Sequence, residues 1–177
     1  KANFRFTCNQ NLILSDIEEK YKIDIQNILE SYQITTLTEE ASAIRKNSMA
    51  CVALNTCPLA LAEGQRYLPS LITKIELLLD NHGLKEEEII IRMTGCPNGC
   101  ARPYIAEIGF VGTSSGHYNL HLGGDHQGQR LNKLYKESLD EASILTELDK
   151  LFSNFKSGRQ NGESFGDFAF RQQRNNW

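Results

Sequence analysis

The sequence predicts an α+β fold. Three observations carry it: short runs with a period of two, longer runs with a period near 3.6, and an order in which the two kinds do not strictly alternate. With 177 residues, 40% of them hydrophobic, the chain holds enough apolar side chains for a sizeable core. That length suits one domain, or one domain and a piece of another.

The first elements are two strands, residues 4–8 and 11–14, joined around Asn9 and Gln10. Alternation places Phe4, Phe6 and Cys8 on one face and Arg5 and Thr7 on the other. Ser15 or Asp16 then caps a helix running to about Tyr32, in which Ile17, Tyr21, Ile25, Ile28, Leu29 and Tyr32 fall at helical spacing and read as core. Residues 35–45 form a polar connector. Pro58 suits the first position of a helix directly after Cys57. A further helical pattern from about Pro69 to Asn81 is stopped by His82 and Gly83, with Leu71, Ile72, Ile75, Leu78 and Leu79 on its buried face. The acidic run at 85–88 is a solvated surface. Strands are expected at 88–94, 105–111, 118–122 and 131–136, a helix at about 141–155, and a final strand at 165–171.

Four of the five cysteines fall in two short clusters, Cys51 and Cys57 in CVALNTC and Cys96 and Cys100 in TGCPNGC. Each cluster holds a proline directly after a cysteine. Soft thiolates select zinc, copper(I) or iron–sulfur. Structural zinc sites favour hooks with two to four intervening residues, and often a histidine. Here the gaps are five and three residues, and His82, His117, His121 and His126 all lie outside both clusters, which weakens zinc. A four-iron cluster tolerates unequal spacing. Buried cysteines are also ordinary core residues, and that is the role expected for Cys8. A disulfide framework does not suit a long, cysteine-poor chain with an odd count and no signal-peptide pattern. Within the second cluster Pro97 suits a helix start while Gly99 weakens one, so a turn or short helical start is expected. Asn98 either bonds a sulfur or a cofactor carboxylate, or shapes the turn. Arg45, Lys46, Arg66, Arg92 and Arg102 lie near the cysteines and are candidate anion partners or structural charges.

The stretches FRFTCNQNLIL, RKNSMACVALNTCPLALAEGQR, RMTGCPNGCARPYIAEIGFVG, YNLHLGG and GESFGDF together resemble the siroheme-dependent sulfite and nitrite reductase family. The likeness is to the C-terminal part of the haemoprotein (beta) subunit of its NADPH-linked assimilatory members. It implies an iron–sulfur/siroheme domain over 46–177, preceded over 1–45 by the tail of a ferredoxin-like half-domain. It also implies a 4Fe-4S cluster held by Cys51, Cys57, Cys96 and Cys100, with Cys100 shared with the siroheme iron. Arg5, Asn9 and Gln10 fall in a motif near the family's siroheme pocket. The activity implied is six-electron reduction of sulfite to sulfide, in sulfate assimilation and cysteine biosynthesis, with electrons from an NADPH-oxidising flavoprotein. The family's basic substrate-binding residues belong to the upstream half of the polypeptide, so no catalytic residue is expected here and the chain alone should be inactive. It opens at Lys1 on a strand already in progress, and is read as a piece of a longer protein.

Departures from the family pattern are Asn55 and Thr56 before Cys57, and Ala101 to Tyr104 after Cys100. Neither removes a ligand. A formal charge of −3 argues against general nucleic-acid binding, and no apolar run reaches the length of a membrane span, so a cytoplasmic protein is expected. A siroheme nitrite reductase, a four-cysteine zinc domain and an independent ferredoxin-like carrier are the alternatives.

Overall fold

The computed structural model describes residues 2–125 and 127–175. It divides into two compact units, Lys1–Ala41 and Ser42–Trp177. The division falls ahead of Arg45 because Ser42 and Arg45 both bond Glu76, within the second unit.

In the first unit β1 (Asn3–Phe6) pairs antiparallel with β2 (Leu12–Ser15), Phe6 opposite Leu12. The Thr7 hydroxyl accepts the backbone N–H groups of Asn9 and Asn11, closing the loop around Gln10. The helix expected from Ser15 or Asp16 starts later. Asp16 has φ 60°, and its carboxylate accepts from the side chains of Asn3 and Ser15 rather than capping a helix. A single 3-10 turn leads into α1 (Lys22–Ser31), and α2 (Ile34–Glu40) occupies most of the expected connector. Neither helix has a buried residue. Tyr21, Ile28 and Tyr32 are exposed, as is Cys8, so the core roles expected of them are not realised within this unit. A two-stranded hairpin with two short helices offers too little surface to enclose a core.

The second unit is built on one sheet in the order β3 (Ser48–Ala50), β4 (Ile91–Thr94), β5 (Ile108–Ser114), β6 (His117–Leu122), β7 (Lys133–Leu139). The first three strands run parallel and the last three antiparallel, a mixed α+β arrangement. After the short α3 (Ala43–Lys46), α4 (Leu68–Asn81), α5 (Glu141–Gly158) and α6 (Phe165–Asn175) supply the helical part. Leu71, Ile72, Ile75 and Leu79 of α4 and Ile144, Leu148, Phe152 and Phe155 of α5 share one core with Ile91, Met93, Ile108, Phe110, Tyr118, Leu120 and Leu122 of the strands. Each such side chain contributes about 1.5–3 kcal/mol by leaving water.

Two expected elements change type. Residues 52–67 form turns, not a helix after Pro58, because the N–H groups of Leu61 and Ala62 bond the Gly95 carbonyl and that of Gln65 bonds the Cys51 carbonyl. Residues 165–171 belong to a helix, not a strand. Phe165, Phe168 and Ala169 recur at helical spacing and are buried, while the Ser164 hydroxyl accepts the Asp167 N–H at the start. Glu107, 1% exposed, accepts the N–H groups of Ile90 and Gly166, each at 2.8 Å, tying α6 to the start of β4. β3 is three residues long and leaves no periodic signal.

Candidate metal centre

Every residue of β4 is buried, so the strand is covered on both faces. Ile91 and Met93 enter the helical core, and alternation turns Arg92 and Thr94 to the opposite face. That face meets Cys51. Ala50 at the end of β3 pairs with Met93, and the Cys51 N–H bonds the Met93 carbonyl at 3.1 Å. Two parallel strands thus end side by side and bring Cys51 against Thr94 and Gly95, directly before Cys96. The Gly95 N–H donates to Cys51 Sγ at 3.3 Å, and Thr94 Oγ1 lies 3.5 Å from the same sulfur.

Close packing of the first cluster over this strand end depends on small residues. A Cβ at Gly95 would meet Ala53 Cβ and the Ala62 carbonyl at 2.7 Å. One at Gly64 would meet the Cys51 carbonyl at 2.6 Å. Ala53, 1% exposed with φ 52°, accepts the Cys57 N–H at 2.8 Å, so Cys57 is anchored to a residue that itself touches Gly95. The Tyr118 hydroxyl donates to the Glu63 carbonyl and braces the same loop. Burial, then the charges of Glu63 and Cys51, push that phenol upward.

The second cluster is a turn. Gly99 at φ 71° and Arg102 at φ 55° bend the chain, and the Arg102 N–H bonds the Gly99 carbonyl at 2.7 Å. The Tyr104 ring lies beneath Gly99, and its hydroxyl donates to the Pro97 carbonyl at 3.1 Å. Burial raises the Tyr104 phenol, and the charge of Cys96 adds to it. Asn132 holds the turn's far side, donating to the carbonyls of Pro103 and Ala106. Cys51 and Cys57 are half-buried, Cys96 is buried and Cys100 is exposed.

Among the described residues, no group of three or more His, Cys, Asp or Glu side chains stands close enough to hold one metal ion. A four-iron cube asks for something different, since each thiolate binds its own iron. The donor chemistry here fits such a cube: soft sulfur ligands, N–H and O–H donors aimed at Cys51 Sγ, and small residues where backbone must approach.

The remaining candidates separate. Asn98 is exposed on the turn. Arg5, Asn9 and Gln10 lie exposed on the hairpin of the first unit, with Arg5 3.9 Å from Asp16. Arg45 makes a forked pair with Glu76, and Arg66 pairs with Glu63, so both guanidinium groups are engaged by carboxylates of the chain. Arg92 is 9% exposed and reaches the Arg102 carbonyl. Sequence reasoning missed Thr94, Ala53, Tyr104 and Asn132. TGC offered a signal for the first of these, because a hydroxyl directly before the Gly–Cys step sits where the sulfur must be approached.

No protein-family model matches the chain. The chain is 67% identical over 171 residues to the sulfite reductase [NADPH] hemoprotein beta-component of Leptospira biflexa, covering 97% of this chain and 31% of the relative. It is 55% identical over 172 residues to the same component of Staphylococcus carnosus, covering 97% and 30%. Its fold matches the NirA protein of Mycobacterium tuberculosis with a TM-score of 0.72 at 28% identity, covering 95% of this chain and 32% of NirA. The chain therefore spans about 31% of the length of its first curated relative. Over that span it belongs to the sulfite reductase hemoprotein family, with the fold that family shares with NirA.

Proposed function

We propose that this chain is the cofactor-holding C-terminal part of an assimilatory NADPH-linked sulfite reductase. Cys51, Cys57, Cys96 and Cys100 would hold a 4Fe-4S cluster, and Cys100 would be the residue that also serves the siroheme. The observation that supports the reading is a contact between the two cysteine segments where β3 and β4 end: Gly95, beside Cys96, donates to Cys51 Sγ. When bound, the coupled pair supplies electrons for six-electron reduction of sulfite to sulfide.

The chain's own residues do the positioning. Gly95 and Thr94 direct hydrogen atoms at a ligand sulfur, Ala53 anchors Cys57, and Tyr104 with Asn132 fixes the turn that presents Cys100 at the surface. Exposure suits Cys100 for a second metal partner. Asn98, beside it on the turn, offers a side-chain donor to sulfur or to a siroheme carboxylate, and Arg5, Asn9 and Gln10 are the further siroheme-binding candidates that the family resemblance supports. The electron donor is an NADPH-oxidising flavoprotein subunit, and the basic groups that bind sulfite belong to the upstream half of the polypeptide. Thiolate ligation requires reduced cysteines, which the cytoplasm maintains. Among the described residues no helix is long and apolar enough to cross a membrane.

Iron, sulfide and zinc analysis with a visible spectrum on anaerobically purified protein tests the reading. About four irons with matching sulfide in a brown protein is the expected result. A colourless protein with about one zinc would overturn it. Siroheme added to the chain alone should give no turnover of sulfite with a reduced dye, because an enclosed site buries most of its ligand's surface and needs walls from the rest of the polypeptide.

A further inference from the structure

Thr94 is fully buried on the face of β4 that meets Cys51, and its hydroxyl has Cys51 Sγ as a partner at 3.5 Å. Valine would fill the same β-branched shape in a strand without the cost of desolvating a hydroxyl. A threonine in this place is therefore accounted for by what its hydroxyl does. A metal-bound thiolate carries no proton and can only accept, so both Thr94 O–H and Gly95 N–H must donate to it. Gly95 is held in place for this donation, since its carbonyl accepts the N–H groups of Leu61 and Ala62 and any Cβ would strike Ala53 and Ala62. Water does not compete for the sulfur on the Thr94 side, because the residue has no exposed surface.

We propose that Thr94 is a potential-setting positioning residue, its hydroxyl donating to the Cys51 thiolate and stabilising the reduced, more negative cluster. This rests on the cluster assignment above. Hydrogen bonds to ligand sulfur raise a cluster's potential by favouring the form with more negative charge. The hydroxyl acts with the Gly95 N–H on one ligand of the four, so its removal biases the reduction without removing a ligand.

The experiment is a redox titration of the cluster in the full-length holoprotein, followed by the signal of the reduced cluster, for wild type, Thr94→Val and Thr94→Ser. Iron and sulfide are counted in each. Normal cluster content with a more negative midpoint in Thr94→Val and a near wild-type midpoint in Thr94→Ser is expected. Resonance Raman of the iron–cysteine stretch should show a deuterium-sensitive band in wild type and Thr94→Ser that weakens in Thr94→Val. An unchanged midpoint in Thr94→Val overturns the proposal, as do equal shifts in both variants, which would indicate packing. Failure of Thr94→Val to hold a cluster that Thr94→Ser holds also overturns it, since the hydroxyl would then serve assembly. A wild-type protein without iron would instead sink the cluster assignment itself.

Discussion

Phe4 and Phe6 alternate along β1 and remain 67% and 88% exposed, whereas Tyr118, Leu120 and Leu122 alternate along β6 and are 1% exposed or less. The same contrast separates the helices. Ile25, Ile28 and Leu29 of α1 recur at helical spacing with none buried, while Ile72, Ile75 and Leu79 of α4 do so inside the core. A periodic pattern determines which face is apolar, and a facing layer determines whether that face is buried. The second unit has its layers within the sequence. The first has the pattern without the layer.

The contrast extends to the cysteines, and there the largest effect is expected. In the full-length protein Cys100→Ser should abolish sulfite-dependent oxidation of a reduced dye, because a hard hydroxyl replaces a soft thiolate at the proposed bridge. Cys8→Ser, in the exposed hairpin, should keep cofactor content and activity near wild type. Full activity in the first with loss of both cofactors in the second would reverse the assignment.

A stability comparison comes next. Phe152, buried against Phe165 in an edge-on ring contact, should cost about 3–5 kcal/mol on replacement by alanine, read by chemical denaturation. Phe6→Ala in this chain should change stability by less than about 0.5 kcal/mol. Repeating Phe6→Ala in the longer protein sharpens the comparison: a several-fold larger cost there would show that the missing layer lies upstream, and an equally small cost would show that this face stays open.

A smaller loss is expected for Glu107→Gln, which turns an oxygen that accepts a backbone N–H into an amide nitrogen. About 1–3 kcal/mol should appear in denaturation. No change would mean that α6 is held by its phenylalanines alone.

The smallest effect is a pH dependence. Burial pushes the Glu76 carboxyl upward, but hydrogen bonds from Arg45 and Ser42 outweigh it and hold the group below its ordinary 4.5. A carboxyl depressed by folding contributes stability above its unfolded value, and that contribution fades as pH falls through the folded value. Glu76→Gln should therefore lower stability at neutral pH slightly and flatten its decline below about pH 4.5. An acid limb as steep as the wild type's would show that other carboxylates, such as Glu147 beside Lys136 and Glu163 beside Arg171, carry it.

Much of this is legible in the residues alone. The strand pair at the start, α4 with its stop at His82 and Gly83, β6 and α5 follow from period and punctuation, and the cysteine motifs point to the family. Other features depend on contacts that no local pattern reports. Residues after Pro58 do not form a helix because their N–H groups bond Gly95 and Cys51, far away in sequence. Phe165 and Phe168 read as a strand until Glu107 and Ser164 are seen at the helix start. Asn132 carries no motif, yet its amide secures the turn after Cys100. Thr94 lies inside a conspicuous motif, and its role needs β3 beside β4 to become visible.

Glu107 also couples distant parts of the second unit. It precedes Gly166, one of its backbone donors, by 59 residues. Withdrawing that donor takes one hydrogen bond from a carboxylate that is 1% exposed, a loss that costs more in a dry interior than in water. The sheet near Glu107 and the docking of α6 are therefore energetically coupled, although α5 separates them in sequence. The strand ends that lead to Cys51 and Cys96 belong to that sheet, so a helix at the far end of the sequence helps to hold the spacing of the two cysteine clusters.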